Sequence, residues 1–481
     1  MKVDFFLKDS SQDLSRTLKN ILFLNLSTIF INLIAFITSV IIGRYLESQD
    51  FGKFVFIFAF LAIFDIFTDL GLSQLAIRDI SQDRNSAARY LVNISFLKLI
   101  LCIVTIFFIW SVTLVSRFSW DIKAGLLIIV LSIILESFGH FFGSLFNAFE
   151  RMDYTAIFSF LLKFFNLIGV YLIIKFHLSL IPIFWTYVFS ATIFTLMSLI
   201  YLRTKFIPVI TKLDITFCKE IILKGLPFAL FMFSFVIYTR VDVLLLKIMK
   251  GDYACAIYGA ANYILMAIMF IPANLSTVLY PVFSRLYSES KIDELGQIYK
   301  RYFFYLLILA LPIGLGITLL SERFILLIWT KYSEASTALK ILVWGTAIQY
   351  LTSILTFLMF AAHRQKIATL FIFLLCIFNI LLNLILVPNY SYIGSSIASS
   401  VSMFLYFVLL FTYISKYIYK IKLESIMIKP ILATIFMGGF IYFFQRQNLL
   451  FLILSAAFIY ISFLFLTGVF KYKWISQSKS L

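Results

Sequence analysis

Eight ionisable side chains lie inside apolar runs that are long enough to cross a bilayer. The stretch FSFVIYTRVDVLLLKIM, Phe233 to Met249, holds Arg240 and Asp242 near its middle. The other six are Asp65, Asp69, Lys98, Glu136, His140 and Lys163. A charge at the centre of a membrane helix costs about 2.5 to 3.5 kcal/mol, so eight lipid-facing groups would cost on the order of 20 kcal/mol. That exceeds the net stability of a typical fold, and the groups must face protein or water.

These side chains suggest two kinds of chemistry. Inward-facing cations without a catalytic partner suit the capture of an anionic cargo through charge and hydrogen bonds. Carboxylates in a low-dielectric cavity can take up a proton near neutral pH, which suits coupling to an ion gradient. We predict substrate binding by Arg240, Asp242, Lys98, Lys163, Asn25 and Asn32. We predict ion coupling by Asp65, Asp69, Glu136 and His140.

Spacing along a helix indicates where the side chains point. Residues four positions apart share a face, and residues seven apart extend it as a stripe. The first spacing relates Asp65 to Asp69 and Glu136 to His140, and the second relates Asn25 to Asn32. Arg240 and Asp242 are two positions apart, so they point to different sides of their helix and cannot simply neutralise each other.

A purely structural interpretation stays open beside the functional one. Lys98 or Lys163 would then pair with Asp65 or Glu136 and fix the packing of helices, as intramembrane ion pairs often do. Basic residues on several different helices favour a water-filled cationic cavity over a set of isolated pairs. In the same way, the G-x-x-x-G pattern of Gly139 and Gly143 predicts close helix packing rather than a site.

The composition is that of an integral membrane protein. Of 481 residues, 62% are hydrophobic and 13% charged, and the mean hydropathy is +1.01. The net charge of +17 comes from short basic clusters between apolar runs, which argues against a nucleic-acid partner. The four cysteines and three histidines show no spacing typical of a metal site or a disulfide framework. The N-terminal segment lacks the pattern of a signal peptide, and we expect it to be retained.

A bilayer core needs about 20 apolar residues per helix, and this length criterion predicts about fourteen spans. They begin near residues 18, 54, 89, 123, 154, 180, 221, 255, 302, 337, 367, 393, 427 and 449. Lysine and arginine concentrate in every second loop, which predicts that both termini are cytoplasmic. All loops are short, the longest being expected around Arg203–Lys219 and Ser284–Lys300.

An internal repeat organises these spans. Ala148–Asn166, AFERMDYTAIFSFLLKFFN, aligns with Ala361–Asn379, AAHRQKIATLFIFLLCIFN, and shares an arginine and an asparagine with it. The shift is six helices, an even number, so both halves have the same orientation in the membrane. The repeat therefore predicts two six-helix lobes around a central cavity, with two further helices at the C-terminal end. The predicted segments are 1–17 (cytoplasmic), 18–202 (first lobe), 203–220 (cytoplasmic loop), 221–415 (second lobe), 416–426 (linker), 427–470 (accessory pair) and 471–481 (cytoplasmic tail).

Two blocks of sequence resemble a known family. GRYLESQDFGKFVFIFAFLAIFDIFTDLGLSQLAIRDIS, from Gly43 to Ser81, and YTRVDVLLLKIMKGDYACAIYGAANYI, from Tyr238 to Ile264, are similar to the starts of the two halves of Wzx-type polysaccharide repeat-unit flippases. These O-antigen and capsule exporters belong to the multidrug/oligosaccharidyl-lipid/polysaccharide exporter superfamily. Positions that match family-like ones are Asp69, Gly71, Arg78, Arg240 and Asp242.

The resemblance implies a function. It implies alternating access that moves an undecaprenyl-pyrophosphate-linked oligosaccharide across the cytoplasmic membrane, with cavity cations on the pyrophosphate or on acidic sugars. The chain would not be an enzyme and would need no cofactor beyond a proton or sodium gradient. Its partners would be the lipid-linked oligosaccharide and membrane lipid, with a polysaccharide polymerase and a chain-length regulator as further partners to test. A multidrug exporter and a lipid II flippase of the same superfamily are the alternatives.

Overall fold

Helices account for nearly all of the described chain. The computed structural model describes residues 27–207, 211–421 and 424–469. In chain order the helices are α1 (Ser27–Tyr45), α2 (Ser48–Asp65), α3 (Leu72–Gln82), α4 (Ala87–Val115), α5 (Trp120–Ala148), α6 (Met152–Lys175), α7 (Leu180–Lys205), α8 (Ile215–Lys250), α9 (Asp252–Met266), α10 (Phe270–Ser288), α11 (Ile292–Ile328), α12 (Ala335–Ala361), α13 (Gln365–Tyr417), α14 (Glu424–Phe443) and α15 (Leu449–Leu466). No strand occurs in these ranges, so the predicted all-α membrane architecture is confirmed.

Eleven helices of the described ranges are long and apolar enough to cross a bilayer, and the bent pair of α9 and α10 makes twelve if it is one span. At 53 residues, α13 is too long for a single span, and its backbone leaves the helical region at Ser391. A shorter apolar stretch covers Met427–Phe443 in α14. The predicted fourteen spans are reached only when the bent pair counts as one span and both parts of α13 and this stretch are counted separately, and that number stays a prediction.

Several predicted boundaries differ from the structure. The second span, expected from about residue 54, begins at Ser48, and the expected start of the first span near residue 18 lies outside the described residues. Ser284–Lys300, expected as a long loop, is mostly helical, because α10 continues to Ser288 and α11 begins at Ile292. The charged residues there suggested a loop, but they belong to the polar end of a 37-residue helix.

The chain divides into two compact units, Met1–Val236 and Ile237–Leu481, and the division falls inside α8. In the N-terminal unit, α5 is the central helix and packs on α2, α3, α4, α6 and α7. A Cβ atom at Gly139 would lie 2.2 Å from Cε1 of Phe194 on α7, so this glycine lets the ring rest against the backbone of α5. This agrees with the close packing predicted from the G-x-x-x-G pattern. The predicted lobe boundaries stay predictions.

In the C-terminal unit, α12 has the central position and packs on α9, α10, α11 and α13. A Cβ atom at Gly345 would lie 3.0 Å from Cα of Ser400, so a small residue is needed where α12 meets α13. The last two helices, α14 and α15, pack on each other, and α14 also packs on α11.

The internal repeat is visible in the backbone. Glu150, between α5 and α6, and His363, between α12 and α13, occupy the same place in the repeat and both have positive φ angles, 61° and 56°. In each turn the following arginine, Arg151 or Arg364, donates its N–H to the carbonyl five residues earlier, at 2.9 and 2.8 Å. Non-glycine residues rarely adopt this conformation, so its recurrence supports the aligned repeat.

Candidate functional site

An ion pair in the N-terminal unit joins the buried Lys98 of α4 to the partly exposed Asp69. Lys98 is 0% exposed, and its Nζ lies 2.6 Å from Oδ1 of Asp69. The hydroxyl of Ser73 donates to the same carboxylate oxygen at 2.5 Å. Asp69 lies in the turn between α2 and α3, where Gly71 has a φ of 79° that glycine adopts without strain. The helical face predicted to carry both Asp65 and Asp69 is therefore interrupted, because α2 ends at Asp65 and a 3-10 turn follows.

A second, looser pair lies in the same unit. Nζ of Lys163 on α6 is 3.9 Å from Oε2 of Glu136 on α5, and both side chains are partly exposed. The hydroxyl of Ser132 donates to the other oxygen of Glu136 at 3.1 Å. The longer distance and the access to solvent leave this lysine able to exchange its carboxylate for another anion.

Asp65 and His140 complete the charged cluster of the N-terminal unit, and both are exposed. Asp65 interacts electrostatically with Glu136, Lys98 and Asp69. Among the described residues it has no basic group within ion-pair distance, and the Thr68 hydroxyl donates to it at 3.3 Å.

His140 interacts electrostatically with both carboxylate–lysine pairs. The structure thus brings together all six predicted ionisable residues of this unit. We call them the acidic cluster, because it contains three carboxylates and only two lysines; its members are Asp65, Asp69, Lys98, Glu136, His140 and Lys163. The expected excess of positive charge is absent from this group of described residues.

In the C-terminal unit, Asp242 is 1% exposed and surrounded by hydrogen-bond donors. It accepts hydrogen bonds from the Tyr258 hydroxyl at 2.6 Å, the Asn383 amide at 2.7 Å and the Ser399 hydroxyl. The Asn383 amide oxygen accepts from Ser395 at 2.7 Å, and its Nδ2 donates to the Asn379 carbonyl at 2.9 Å. This network ties α8, α9 and α13 to one carboxylate. A buried charge is tolerated only with such a set of partners.

Sequence reasoning found Asp242 but missed the rest of this network. Asn379 and Asn383 are four positions apart in an apolar helix, which places both amides on one face, and that spacing was the available signal. The repeat offset that aligns Asn166 with Asn379 also aligns Thr186 with Ser399. In the N-terminal unit, Asn166 lies 3.4 Å from the Thr186 hydroxyl, and no carboxylate is hydrogen-bonded to either of these two described residues.

Arg240 lies two positions from Asp242 and is half-buried. It interacts electrostatically with Tyr258 and Tyr263. No carboxylate lies within ion-pair distance of Arg240 in the part of the chain that the structure describes. As predicted from their spacing, Arg240 and Asp242 do not pair.

The polar stripe predicted on α1 is only partly described. Asn32 is half-buried on α1, and no hydrogen bond joins it to the acidic cluster among residues 27–207. Asn25 lies outside the described residues.

The Asp242 network and the acidic cluster offer different chemical groups to a ligand. In the described ranges, no group of three or more His, Cys, Asp or Glu side chains is placed to hold a metal ion. The Asp242 network offers carboxylate, amide and hydroxyl oxygens, which are the ligands of hard cations. The acidic cluster offers three carboxylates and an imidazole next to two ammonium groups.

Comparison with known proteins agrees with this architecture. The fold is similar to that of the lipid II flippase MurJ in an inward closed conformation, with a TM-score of 0.77, 17% identity, and coverage of 93% of this chain and 98% of that chain. It is also similar to an inward-facing multidrug resistance MATE transporter, with a TM-score of 0.70, 14% identity, and coverage of 82% and 98%. A membrane protein of Methanocaldococcus jannaschii is 22% identical over 438 residues, which cover 84% of this chain and 85% of the relative.

The helical fold is of the class seen in these flippase and multidrug-transporter structures. Residues 17–287, more than half of the chain, match the family of polysaccharide biosynthesis proteins, and residues 227–385 match the MatE family. The chain belongs to the polysaccharide biosynthesis protein family.

Proposed function

We propose that this protein flips undecaprenyl-pyrophosphate-linked oligosaccharide repeat units across the cytoplasmic membrane by alternating access, for the synthesis of a surface polysaccharide. The observation that carries the proposal is the match of more than half of the chain to the polysaccharide biosynthesis family. The likeness in fold to a protein described as a lipid II flippase supports a lipid-linked cargo. Transport without catalysis is part of the proposal.

Arg240 is the proposed contact for the pyrophosphate. Its guanidinium lies inside a membrane span without a carboxylate partner among the described residues, and arginine binds phosphate oxygens in a bidentate manner. Asp242 is too buried to touch a cargo, so we assign it a positioning role: it holds the stretch of α8 that carries Arg240 against α9 and α13. Lys163 is the proposed second contact, because its ion pair with Glu136 is long and accessible.

The acidic cluster is the proposed site of ion coupling, with a proton or sodium as the coupled ion. Asp65 is the leading carboxylate because Asp69 and Glu136 each have a lysine partner and Asp65 has none among the described residues. The variant Asp65→Asn should therefore insert and bind cargo normally but lose the response of transport to an imposed ion gradient. Transport that never responds to a proton or sodium gradient in the unaltered protein contradicts this assignment.

Surface polysaccharide and lipid-linked intermediates in a deletion strain test the main proposal. The strain should lose polymer and accumulate undecaprenyl-linked repeat units on the cytoplasmic side, and the unaltered gene should restore export. Arg240→Ala should insert but fail to restore export, and Arg240→Lys should restore it partly, because lysine keeps the charge but not the bidentate geometry. Normal polysaccharide in the deletion strain would overturn the cargo assignment. Full export by Arg240→Ala would overturn only the role of that residue.

A second candidate function is cation-coupled drug export. The specific observation in its favour is that the acidic cluster has more carboxylates than lysines, which suits a cationic cargo. A drug-susceptibility panel on the deletion strain tests it, since increased sensitivity to cationic compounds with normal polysaccharide would favour export of drugs. Complementation of a peptidoglycan-flippase depletion tests the lipid II alternative in the same strain background.

A further inference from the structure

Two helix pairs, α2–α3 and α9–α10, are broken at corresponding places in the two units. In each pair both helices pack on the central helix of their own unit, which is α5 for the first pair and α12 for the second. Between α2 and α3, Leu70 and Gly71 have positive φ angles of 46° and 79°. Between α9 and α10, the chain bends by 46° from Met266 to Phe270. Short breaks at helix ends are the positions that absorb backbone changes in a hinge.

The break between α9 and α10 has a cause in the sequence. Pro272 lies in the first turn of α10 and has no backbone N–H. In a continuous helix that N–H would donate to the carbonyl of Ile268, four residues earlier. The Tyr350 hydroxyl of α12 donates to this carbonyl at 2.7 Å, and Tyr350 is 0% exposed. Tyr350 therefore takes the place of the backbone donor that the proline removes.

Ser137 of α5 contacts the other break. Its hydroxyl oxygen lies 2.7 Å from that of Thr68, in the 3-10 turn that follows α2, and both side chains are buried. Ser137 and Tyr350 precede the last residues of α5 and α12 by the same number of positions. Those last residues are aligned in the internal repeat, so a single position of the repeat contacts the break in both units.

The two helices of the second pair differ in how firmly they are packed. Within α9, every residue from Ala254 to Ala261 is buried. By contrast, α10 has large exposed side chains at Val278 and Tyr280. It meets α12 through a neutral hydrogen bond from the Ser276 hydroxyl to that of Ser353 at 3.0 Å. A neutral hydrogen bond contributes little net stability, so this contact can break and re-form while α9 stays in the core.

We propose that the two breaks are hinges, and that Tyr350 and Ser137 are their latches, the side chains that fix the angle between the two helices of each pair. When the Tyr350 hydroxyl leaves the carbonyl of Ile268, α10 swings against α12 and α9 stays in place. A carbonyl without a donor is costly inside a membrane, so the latch keeps the open state rare. The proposal concerns motion within each unit and does not depend on the transported cargo.

Hydrogen exchange of the purified full chain in phospholipid nanodiscs tests the hinge. Tyr350→Phe removes only the hydroxyl and should speed exchange in α10 about fivefold, the factor that corresponds to one ordinary hydrogen bond, with α9 unchanged. Tyr406→Phe is the matched control, because its buried hydroxyl lies 3.2 Å from that of Thr356 and joins α13 to α12. Equal acceleration in α9 and α10, or the same effect on α10 in both phenylalanine variants, would overturn the proposal.

A proline variant tests the cause of the break. Pro272→Ala restores the N–H that the Ile268 carbonyl lacks, so adding it to Tyr350→Phe should return exchange over residues 268–275 to that of the unaltered protein. Pro281→Ala removes a proline from the interior of the same helix and should not rescue these residues. Rescue by both alanine variants, or by neither, would overturn the role of the replaced hydrogen bond.

The first unit offers an independent test of the repeat-related position. Ser137→Ala should speed exchange in α3 and leave α2 unchanged. Ser132→Ala is the control, because its buried hydroxyl lies on the same helix and donates to Glu136 rather than to the break. Unchanged exchange of α3 in Ser137→Ala would overturn the equivalence of the two breaks.

Discussion

Lys98 places an ammonium group in the interior of the N-terminal unit, and Asp69 is the carboxylate that neutralises it at 2.6 Å. Removing one partner of a buried pair is far more harmful than replacing both, because the remaining charge is left without compensation. The partly exposed pair of Lys163 and Glu136 is different, since water can screen either charge when the other is absent. The two lysines of the acidic cluster should therefore differ in what they do for stability.

The variant Asp69→Asn should lower the melting temperature strongly, corresponding to about 3 kcal/mol, because it leaves the buried ammonium group of Lys98 uncompensated. Adding Lys98→Met to Asp69→Asn should recover part of this loss. Glu136→Gln is the matched control and should change the melting temperature little, because the lysine that it leaves, Lys163, is partly exposed. Equal loss of stability in Asp69→Asn and Glu136→Gln would contradict the distinction between the two pairs.

At this scale the sequence predicted which residues are charged inside the membrane but not which of them meet. The structural interpretation paired Lys98 or Lys163 with Asp65 or Glu136. The structure pairs Lys163 with Glu136 but Lys98 with Asp69. The reason is that α2 ends at Asp65 and the chain turns at Asp69 to Gly71, which a four-residue spacing does not reveal. Hydroxyl partners such as Ser399 are common residue types, so only their positions in space mark them, whereas Asn383 could have been found from its spacing to Asn379.

Helix α8, which joins the two halves of the chain, is anchored to the start of α4. Asp214 caps α8 by accepting from the Phe217 N–H at 3.0 Å, and Arg89 binds its other oxygen at 2.5 Å. The backbone N–H of Asp214 donates to Asn93 at 2.8 Å. The Arg89 guanidinium also lies 4.1 Å above the Phe217 ring. This anchor fixes where α8 begins relative to α4.

The two variants Asp214→Asn and Asp214→Ala separate the cap from the ion pair. Asparagine keeps the helix cap and loses the charge, whereas alanine loses both, so trypsin should cleave the exposed Lys212 faster in the alanine variant. Glu289→Ala, which removes the surface partner of Lys291, is the control and should not affect cleavage at Lys212. Identical cleavage rates in both Asp214 variants would show that the cap contributes nothing.

The same anchor has a defined pH dependence. The Phe217 N–H and the Arg89 guanidinium lower the pKa of Asp214 below its ordinary value of 3.8. A lowered pKa means that the carboxylate stabilises the fold above that ordinary value and loses this contribution as the pH falls through the lowered one. Protection of the Phe217 N–H from hydrogen exchange, corrected for the intrinsic exchange rate at each pH, should therefore be constant near neutral pH and fall only in strong acid. A fall near pH 6 would point to a different group.

For the whole molecule, the topology is the prediction that most needs a measurement. Charge in the loops predicts both termini in the cytoplasm. All four native cysteines are buried and free, so single introduced cysteines can report accessibility. An impermeant maleimide should label Ser119→Cys in intact cells, because the loop between α4 and α5 is predicted to face outward. Lys212→Cys should react only after the membrane is opened, and the reverse pattern would invert the topology.

Composition and hydropathy were enough to predict an all-helical membrane protein, because a bilayer leaves few other ways to satisfy the backbone. The repeat was predicted from side chains and is visible in the turns at Glu150 and His363. Helix ends were harder to place, since the first turns of α11 carry charged residues that look like a loop. The acidity of the cluster in the N-terminal unit was missed, because sequence does not say which charges share a space.

The pair of Asp69 and Lys98 also has a consequence for biogenesis. The two residues are 29 positions apart, and a ribosome adds about 5 to 20 residues per second, so the nascent chain carries Asp69 on the order of seconds before Lys98 is made. During that interval the carboxylate has no counterion and is held by the turn that follows α2. When α4 is synthesised, the insertion of its apolar residues must carry Lys98 into the membrane. Asp69 is by then already in place after α2. Synthesis from the N-terminus thus gives the anion first and the cation second, and the neutral pair forms only when the third span enters.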